Sequence, residues 1–434
     1  MCSIWTSLRS IALGVPNALR VGHGDHRHAA GPQFGQDTKL PMRRCIYCDR
    51  DKDDGEFTDE HIWPDGLGGD YLPKDVWRTD DVCGRCNNLS GLFVDGGFIR
   101  GWAGTAERFT GAYEYLKRPS PGVLPLAYMG RLPDADCADS DIAEFWLGPC
   151  GAHIVHIRPQ DTQDDWSAYA GGDPRAKKLA AGRAYLSFTS EQPFWVVASL
   201  NSFRAHFRKA SRFIVNAAVP SQWSDAFTEV NRSDPQQQRD LKVVDAVASK
   251  ASKGETVHSR VILAVDTGSR LLAKIALALG YKLLGRDFLA TSYAADLRKA
   301  LWERDFSARQ QIPVRGSGYL HGANPLGAVT YPMAWPGGWV LLVKVVEGKL
   351  ACSVFTPSGK AMVIMICDDA SLVAKLPGEY IEGQVWLAVP TLAKSAGPFG
   401  LAAFLGHVTG NAPIADLQSI EAERADPSLL PKCR

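Results

Sequence analysis

The sequence predicts an α+β fold: a small N-terminal core stapled by zinc, followed by a larger β-rich region that carries a helical pair. Three observations predict it. Two Cys-x-x-Cys pairs of identical spacing, Cys45 with Cys48 and Cys83 with Cys86, bracket a polar segment. Beyond residue 111 the chain breaks into short apolar runs separated by Pro, Gly and Asp clusters, as strands do. Residues 267–284 repeat Leu271, Leu272, Ile275, Leu279 and Leu283 at helical period, with Gly285 as a stop.

Each Cys-x-x-Cys turn places two sulfurs on one side of a tight knuckle, where they fill two corners of a tetrahedron around Zn²⁺. Two knuckles fill all four corners, so Cys45, Cys48, Cys83 and Cys86 are the expected ligands of a structural zinc. In so polar a segment the metal supplies folding energy that a small apolar core does not. Arg43, Arg44, Arg50 and Arg85 lie beside the cysteines in sequence and are expected to offset the thiolate charge. Two disulfides or a redox pair are the rival readings, and matched duplication favours zinc.

Between the knuckles stand Glu60 and His61, and directly after the second stands Asn87. The Glu60 carboxylate and the Asn87 amide oxygen are hard donors suited to Mg²⁺ or Mn²⁺, which keep waters and accept phosphate oxygens. His61 is free to act as a base. A regular strand points Glu60 and His61 to opposite faces, so one shared site requires the strand to end or bend here. Pro64, Gly66, Gly68 and Gly69 predict that it does.

The motifs CIYC, DEHIWPDGLGG and VCGRCNN resemble the HNH, or ββα-metal, endonucleases, and among them the zinc-bearing subgroup typified by phage endonuclease VII. The resemblance covers about residues 43–100. It implies that the four cysteines bind zinc, that Glu60 and Asn87 bind a catalytic Mg²⁺ or Mn²⁺, and that His61 activates water to hydrolyse a phosphodiester. The sequence departs from the family pattern in two ways. Glu60 replaces the commoner Asp and Asn87 the final His, both of which keep an oxygen-donating site. The family's middle Asn has no counterpart, because no Asn or Gln lies between His61 and Cys83. Asp80, Asp81 or a backbone carbonyl of the Gly-rich loop is the expected acceptor for the second ring N–H of His61.

With 434 residues, 45% apolar and 22% charged, the chain is long enough for two or three domains and excludes disorder as the overall state. A net charge of +1 gives no global basic field, so nucleic acid is expected to be held by local patches and metal. The remaining cysteines, Cys2, Cys137, Cys150, Cys352, Cys367 and Cys433, have no regular spacing and suit reduced thiols in a cytoplasmic protein.

Residues 1–41 are rich in Gly, His and small residues, with no apolar period, and are expected to be a disordered extension, with Met42 as a candidate start. A transit-like presequence is the rival, since Arg9 and Arg20 precede the first acidic residue, Asp25. His23, His26 and His28 read as part of a solvated tail. Residues 42–110 form the nuclease-like domain, helical after residue 89 and then a loop through Asp95, Gly96 and Gly97, with Asp95 a supporting candidate near the metal.

The region 111–260 reads as strands at PLAYMG, EFWLG, AHIVHI, RAYLSF and PFWVVASL. Within residues 203–216, helical spacing puts Arg204, Arg208 and Arg212 on one face, a candidate phosphate grip weighed against a solvated helix face. The region 261–434 holds the helix at 267–284, a second at 294–304 packed on it, and an antiparallel meander joined at Glu347-Gly348-Lys349 and Pro357-Ser358-Gly359. The apolar stretch 400–408 is too short to span a bilayer, and the polar tail from Asp416 is expected to be loose.

Three readings follow: a metal-dependent endonuclease acting on nucleic acid, with DNA the expected substrate and a homodimer one expected arrangement; a catalytically inactive zinc module that binds DNA or a protein partner; and a scaffold with a purely structural cluster. No membrane is expected. Substrate selection or regulation is the expected role of residues 111–434.

Overall fold

A computed structural model describes residues 42–117, 122–163, 166–219, 221–264, 266–319, 332–426 and 428. The expected N-terminal extension, with its three histidines, lies outside the described residues, as do Cys2 and Cys433. The architecture mixes helices with two large sheets, and the cysteine cluster sits in the N-terminal region.

The N-terminal core opens with a hairpin of β1 (Met42–Arg44) and β2 (Asp51–Asp53), whose turn carries the first knuckle. β3 (Phe57–His61) pairs antiparallel with β4 (Arg78–Cys83), and α1 (Gly84–Ser90) starts on the second knuckle. The chain does not enter the expected loop at Asp95. It widens into a π turn at Gly91–Asp95 and continues as α2 (Gly96–Ile99) and α3 (Trp102–Tyr113). Gly96 fits the π turn because a side chain there would meet the Gly91 carbonyl at 3.0 Å.

A six-stranded sheet follows, in spatial order β10, β9, β8, β7, β6, β5. Its strands are β5 (Ala127–Arg131), β6 (Asp141–Leu147), β7 (His153–Pro159), β8 (Arg183–Ser187), β9 (Ser211–Ile214) and β10 (Thr228–Glu229). The run PFWVVASL, read from sequence as a strand, is the first half of α4 (Pro193–His206). A continuous apolar run carries no period of 2 to exclude a helix, and Pro193 takes the first helical position, where a missing N–H is harmless. Val196, Leu200 and Phe203 of α4 cover one face of the sheet against Trp146, Ile154 and Leu186. Val243, Val244 and Val247 of α5 (Pro235–Ser252) cover the other against Phe145, Val155 and Ile157.

α6 (Thr267–Leu284) has the bounds the sequence predicted and α7 (Ser292–Trp302) packs on it. The second six-stranded sheet is antiparallel throughout, in order β11 (Gly316–Ser317), β14 (Ala361–Cys367), β13 (Lys349–Phe355), β12 (Trp339–Val346), β15 (Gln384–Val389) and β16 (Lys394–Gly400). β12 and β13 meet at the expected two-residue turn, where Glu347 and Gly348 both have positive φ. The tail expected to be loose instead carries a helix: after α8 (Leu401–Val408), α9 (Ala415–Glu421) buries Leu417 and Ile420 against this sheet.

One hydrophobic cluster joins Trp63, Trp77 and Phe98 of the N-terminal core to Leu271, Ile275 and Leu279 of α6 and to Trp339 and Trp386 of the second sheet. Burying each such Leu or Ile contributes roughly 2 kcal/mol. The packing therefore holds α6 directly behind β3. Among the described residues, no helix is long and apolar enough to cross a membrane.

Candidate active site and metal centre

The four sulfurs predicted to bind zinc converge. Cys45, Cys48, Cys83 and Cys86 place their Sγ atoms within 4.8 Å of one another, as four ligands about 2.3 Å from one ion require. Among the described residues this is the one convergent group of three or more ligating side chains. A hydrogen bond from Cys86, joined by backbone donors including Cys83 N–H, holds the Cys45 thiol down to about 5. Burial, then the charge of Cys45, pushes the Cys48 thiol up. Four soft donors crowded together are a donor set that a divalent zinc ion fits.

The positive charge near the sulfurs is not what sequence proximity suggested. Arg43 binds Asp54 and Asp81, each at 2.9 Å, and Arg44 binds Asp49 at 2.7 Å. Arg298 of α7 and Lys52 lie within electrostatic range of the sulfurs. α7 also clamps the first knuckle: Arg298 Nε donates to the Ile46 carbonyl at 3.0 Å and Trp302 Nε1 to that of Tyr47 at 2.9 Å.

β3 carries the acid and the base. Its pairing with β4 slips at Asp59, which opposes both Asp80 and Asp81. Glu60 turns inward and is 3% exposed, whereas His61 stays half-buried on the outer side. Beyond His61 the chain doubles back through Trp63 to Tyr71. Gly68 supplies the left-handed turn with φ 96°, and a side chain on Gly69 would stand 1.9 Å from the Trp63 carbonyl.

This turn delivers a residue that the sequence reading missed. Asp70 Oδ1 lies 2.8 Å from His61 Nε2 and 2.5 Å from Arg78 Nη2, and Arg78 Nη1 reaches Asp59 at 2.8 Å. Hydrogen bonds from His61 and Asp65 hold the Asp70 carboxyl below its usual range. Asp80 and Asp81, the expected partners of His61, instead face Arg43, at 3.5 and 2.9 Å. The signal for Asp70 was the Gly-Gly turn just before it, which returns the chain to β3.

On the inner side, Glu60 Oε1 accepts from Tyr47 Oη at 3.3 Å and lies 2.7 Å from Lys274 Nζ. Lys274 comes from the middle of α6 and is 0% exposed. Its ammonium also bonds Asp95 Oδ2 at 2.7 Å and the His61 carbonyl at 2.8 Å. Burial pushes both carboxyls up, against the pull of Lys274. Asp95 Oδ1 is buried with no hydrogen-bond partner. Asn87 donates Nδ2 to Thr58 Oγ1 at 3.0 Å and to the Asp59 carbonyl at 2.9 Å, which fixes its amide so that Oδ1 remains as an oxygen donor.

The structure thus sorts the predicted residues into two groups. His61 stands with Asp70, Arg78 and Asp59, and Glu60 stands with Lys274, Asp95 and Tyr47. Asn87 is tied to Thr58 and Asp59 of β3. The oxygens of Glu60, Asp95 and Asn87 suit a hard divalent ion. Two carboxylates against one ammonium leave the inner group short of positive charge, and the orphaned Asp95 oxygen is consistent with a further cation.

The predicted basic helix face is not present. Arg204 lies in the last turn of α4, Arg208 in the turn after it, and Arg212 in β9. Arg204 lies over Trp223 at 5.3 Å and Arg212 over Phe227 at 5.8 Å. The helix stops at His206 because Phe207 turns in to pack against Trp146 and Phe203.

Residues 45–103 match the family model described as HNH endonuclease, a small part of the chain. No curated protein and no solved structure matches the chain. The match supports a nuclease-type function for this segment, with the nucleic-acid binding and divalent-metal use that such a domain implies, and the cysteine cluster within it is suited to zinc.

Proposed function

We propose that this protein is a metal-dependent endonuclease that hydrolyses phosphodiester bonds, with DNA as substrate and His61 as general base. The observation that carries the reading is the 2.8 Å contact between His61 Nε2 and Asp70, inside the segment that resembles HNH endonucleases. A carboxylate on Nε2 keeps the proton there and leaves Nδ1 as the basic nitrogen, the tautomer that takes a proton from water. Arg78, bonded to Asp70 and Asp59, holds that carboxylate in place.

The water deprotonated by His61 attacks phosphorus in line with the leaving 3′ oxygen. Glu60 and Asn87, with Asp95, which shares Lys274 with Glu60, are the residues that would hold a Mg²⁺ or Mn²⁺ ion. Such an ion, when bound, stabilises the charge developing on the phosphate and the leaving oxygen. Lys274 keeps the buried Glu60 carboxylate oriented and ties it to the backbone at His61.

The rival reading is a zinc module that binds DNA or a protein without cutting. One observation favours it: the Lys274 ammonium occupies a cation position on Glu60. Incubating supercoiled plasmid with the full-length protein in Mg²⁺, Mn²⁺ or EDTA separates the two. Ion-dependent nicking supports the nuclease, and DNA retention without nicking under any condition supports the binding module. A dimer that cuts both strands predicts linear product alongside nicked circles.

A further inference from the structure

A cleft of ≈ 460 Å³ lies where α3 and the turn after α4 face each other, away from the Glu60 and His61 groups. Its wall carries Arg100, Arg108, Arg208 and Lys209, and no Asp or Glu lines it. The Arg100 and Arg208 side chains have no partner among the described residues. Arg108 donates only to the carbonyls of Ile99 and Gly104, and Lys209 only to that of Pro174. Burial, then the charge of Arg100, pushes the Arg108 guanidinium down to about 10. Asp173, outside the wall, lies within electrostatic range of Lys209 alone among the four; cations gathered with no carboxylate in the wall repel one another, and an anion in the cleft relieves that repulsion.

Two buried side chains complete the wall. His156 lines the cleft, is 3% exposed, and spends Nδ1 on Glu144 at 3.2 Å. Its Nε2 is buried without a partner. Trp146, also in the wall and 5% exposed, has an indole N–H with no acceptor. Both atoms are sealed from solvent, so these side chains shape the wall while the four cations meet a ligand.

We propose that this cleft binds a phosphorylated small molecule of nucleotide size. Guanidinium groups bind phosphate oxygens in bidentate fashion. The volume falls in the range of small-molecule sites, and the aromatic wall of Trp146 and Phe207 beside the cations suits a base or sugar next to a phosphate. This inference does not depend on the nuclease reading, because none of its residues belongs to that site.

The test is calorimetric titration of the full-length protein with ATP, AMP, inorganic phosphate and adenosine, without added divalent ion. It is repeated on the double variant Arg208→Glu, Lys209→Glu, whose exposed positions leave the fold intact. The expected result is binding of ATP or AMP, none of adenosine, and weakening by about tenfold or more in the double variant at an unchanged melting temperature. Absence of binding at roughly millimolar nucleotide, or equal binding by the variant, overturns the proposal. So does binding of a 5′-phosphorylated oligonucleotide with none of ATP or AMP, which would assign the cleft to a nucleic-acid backbone.

Discussion

Lys274 Nζ sits 2.7 Å from Glu60 Oε1, so a residue of the C-terminal region is built into the acidic centre of the N-terminal core. The same ammonium reaches Asp95 and the His61 carbonyl. The segment that resembles a nuclease is therefore completed by α6.

Replacing Lys274 with Met is expected to destabilise the protein by about 3–5 kcal/mol, because it leaves Glu60 and Asp95 buried without their cation. If the two carboxylates and Asn87 form a cation site, Mg²⁺ or Mn²⁺ restores part of the lost melting temperature in this variant. Thermal unfolding with and without the ion checks this, and a melting temperature that ignores the ion removes Glu60 and Asp95 as ligands.

Asp70→Asn keeps the shape of the turn and removes the charge that fixes the His61 tautomer. Plasmid cleavage is expected to fall by about 10²-fold or more, with unfolding free energy within about 1 kcal/mol of wild type for so exposed a carboxylate. Cleavage at the wild-type rate would show that His61 needs no partner on Nε2.

Zinc content is expected to be one ion per chain, and stripping it should destabilise more than the N-terminal core. The first knuckle is bolted to α7 through Arg298 and Trp302, and its apolar residues share a cluster with α6 and the second sheet. Chelation should therefore lower the main calorimetric transition. A chelator that melts only a minor, separate transition contradicts this coupling.

Glu144 predicts how stability depends on pH. It is fully buried, 2.9 Å from Arg158 Nη2 and 3.2 Å from His156 Nδ1. Burial would raise its carboxyl, but Arg158 and His156 outweigh burial and hold it down to about 2. An unfolded glutamate titrates near 4.3, so the unfolded chain takes up this proton first as pH falls. The stabilisation, about 3 kcal/mol, is complete above about pH 5 and is lost toward pH 2. Glu144→Gln should destabilise at neutral pH and flatten the fall between pH 5 and 3 in urea titrations; an unchanged slope contradicts the assignment.

What the sequence revealed follows from what is local. The two knuckles were legible because ligand spacing along the chain sets sulfur geometry, and α6 because its leucines recur at helical period in a run that is buried without a break from Arg270 to Gly280. Lys274 stands in that run as a fully buried charge flanked by apolar residues, a signal that something buried must pair with it. Its partners Glu60 and Asp95 are remote in sequence and only tertiary packing names them. Asp95 looked like a turn residue because it precedes Gly-Gly, yet the π turn keeps it helical and aims it at Lys274. Arg204, Arg208 and Arg212 fitted a helical period, but the burial of Phe207 ends the helix between them.

The central claim, that His61 is the base of a metal-dependent nuclease, is tested most directly by plasmid cleavage with wild-type protein and His61→Ala, each assayed for zinc. The expected result is ion-dependent nicking by the wild type and a loss of about 10²–10⁴-fold in the variant, with equal zinc content and unchanged melting. Equal cleavage by a zinc-replete His61→Ala protein would contradict the account.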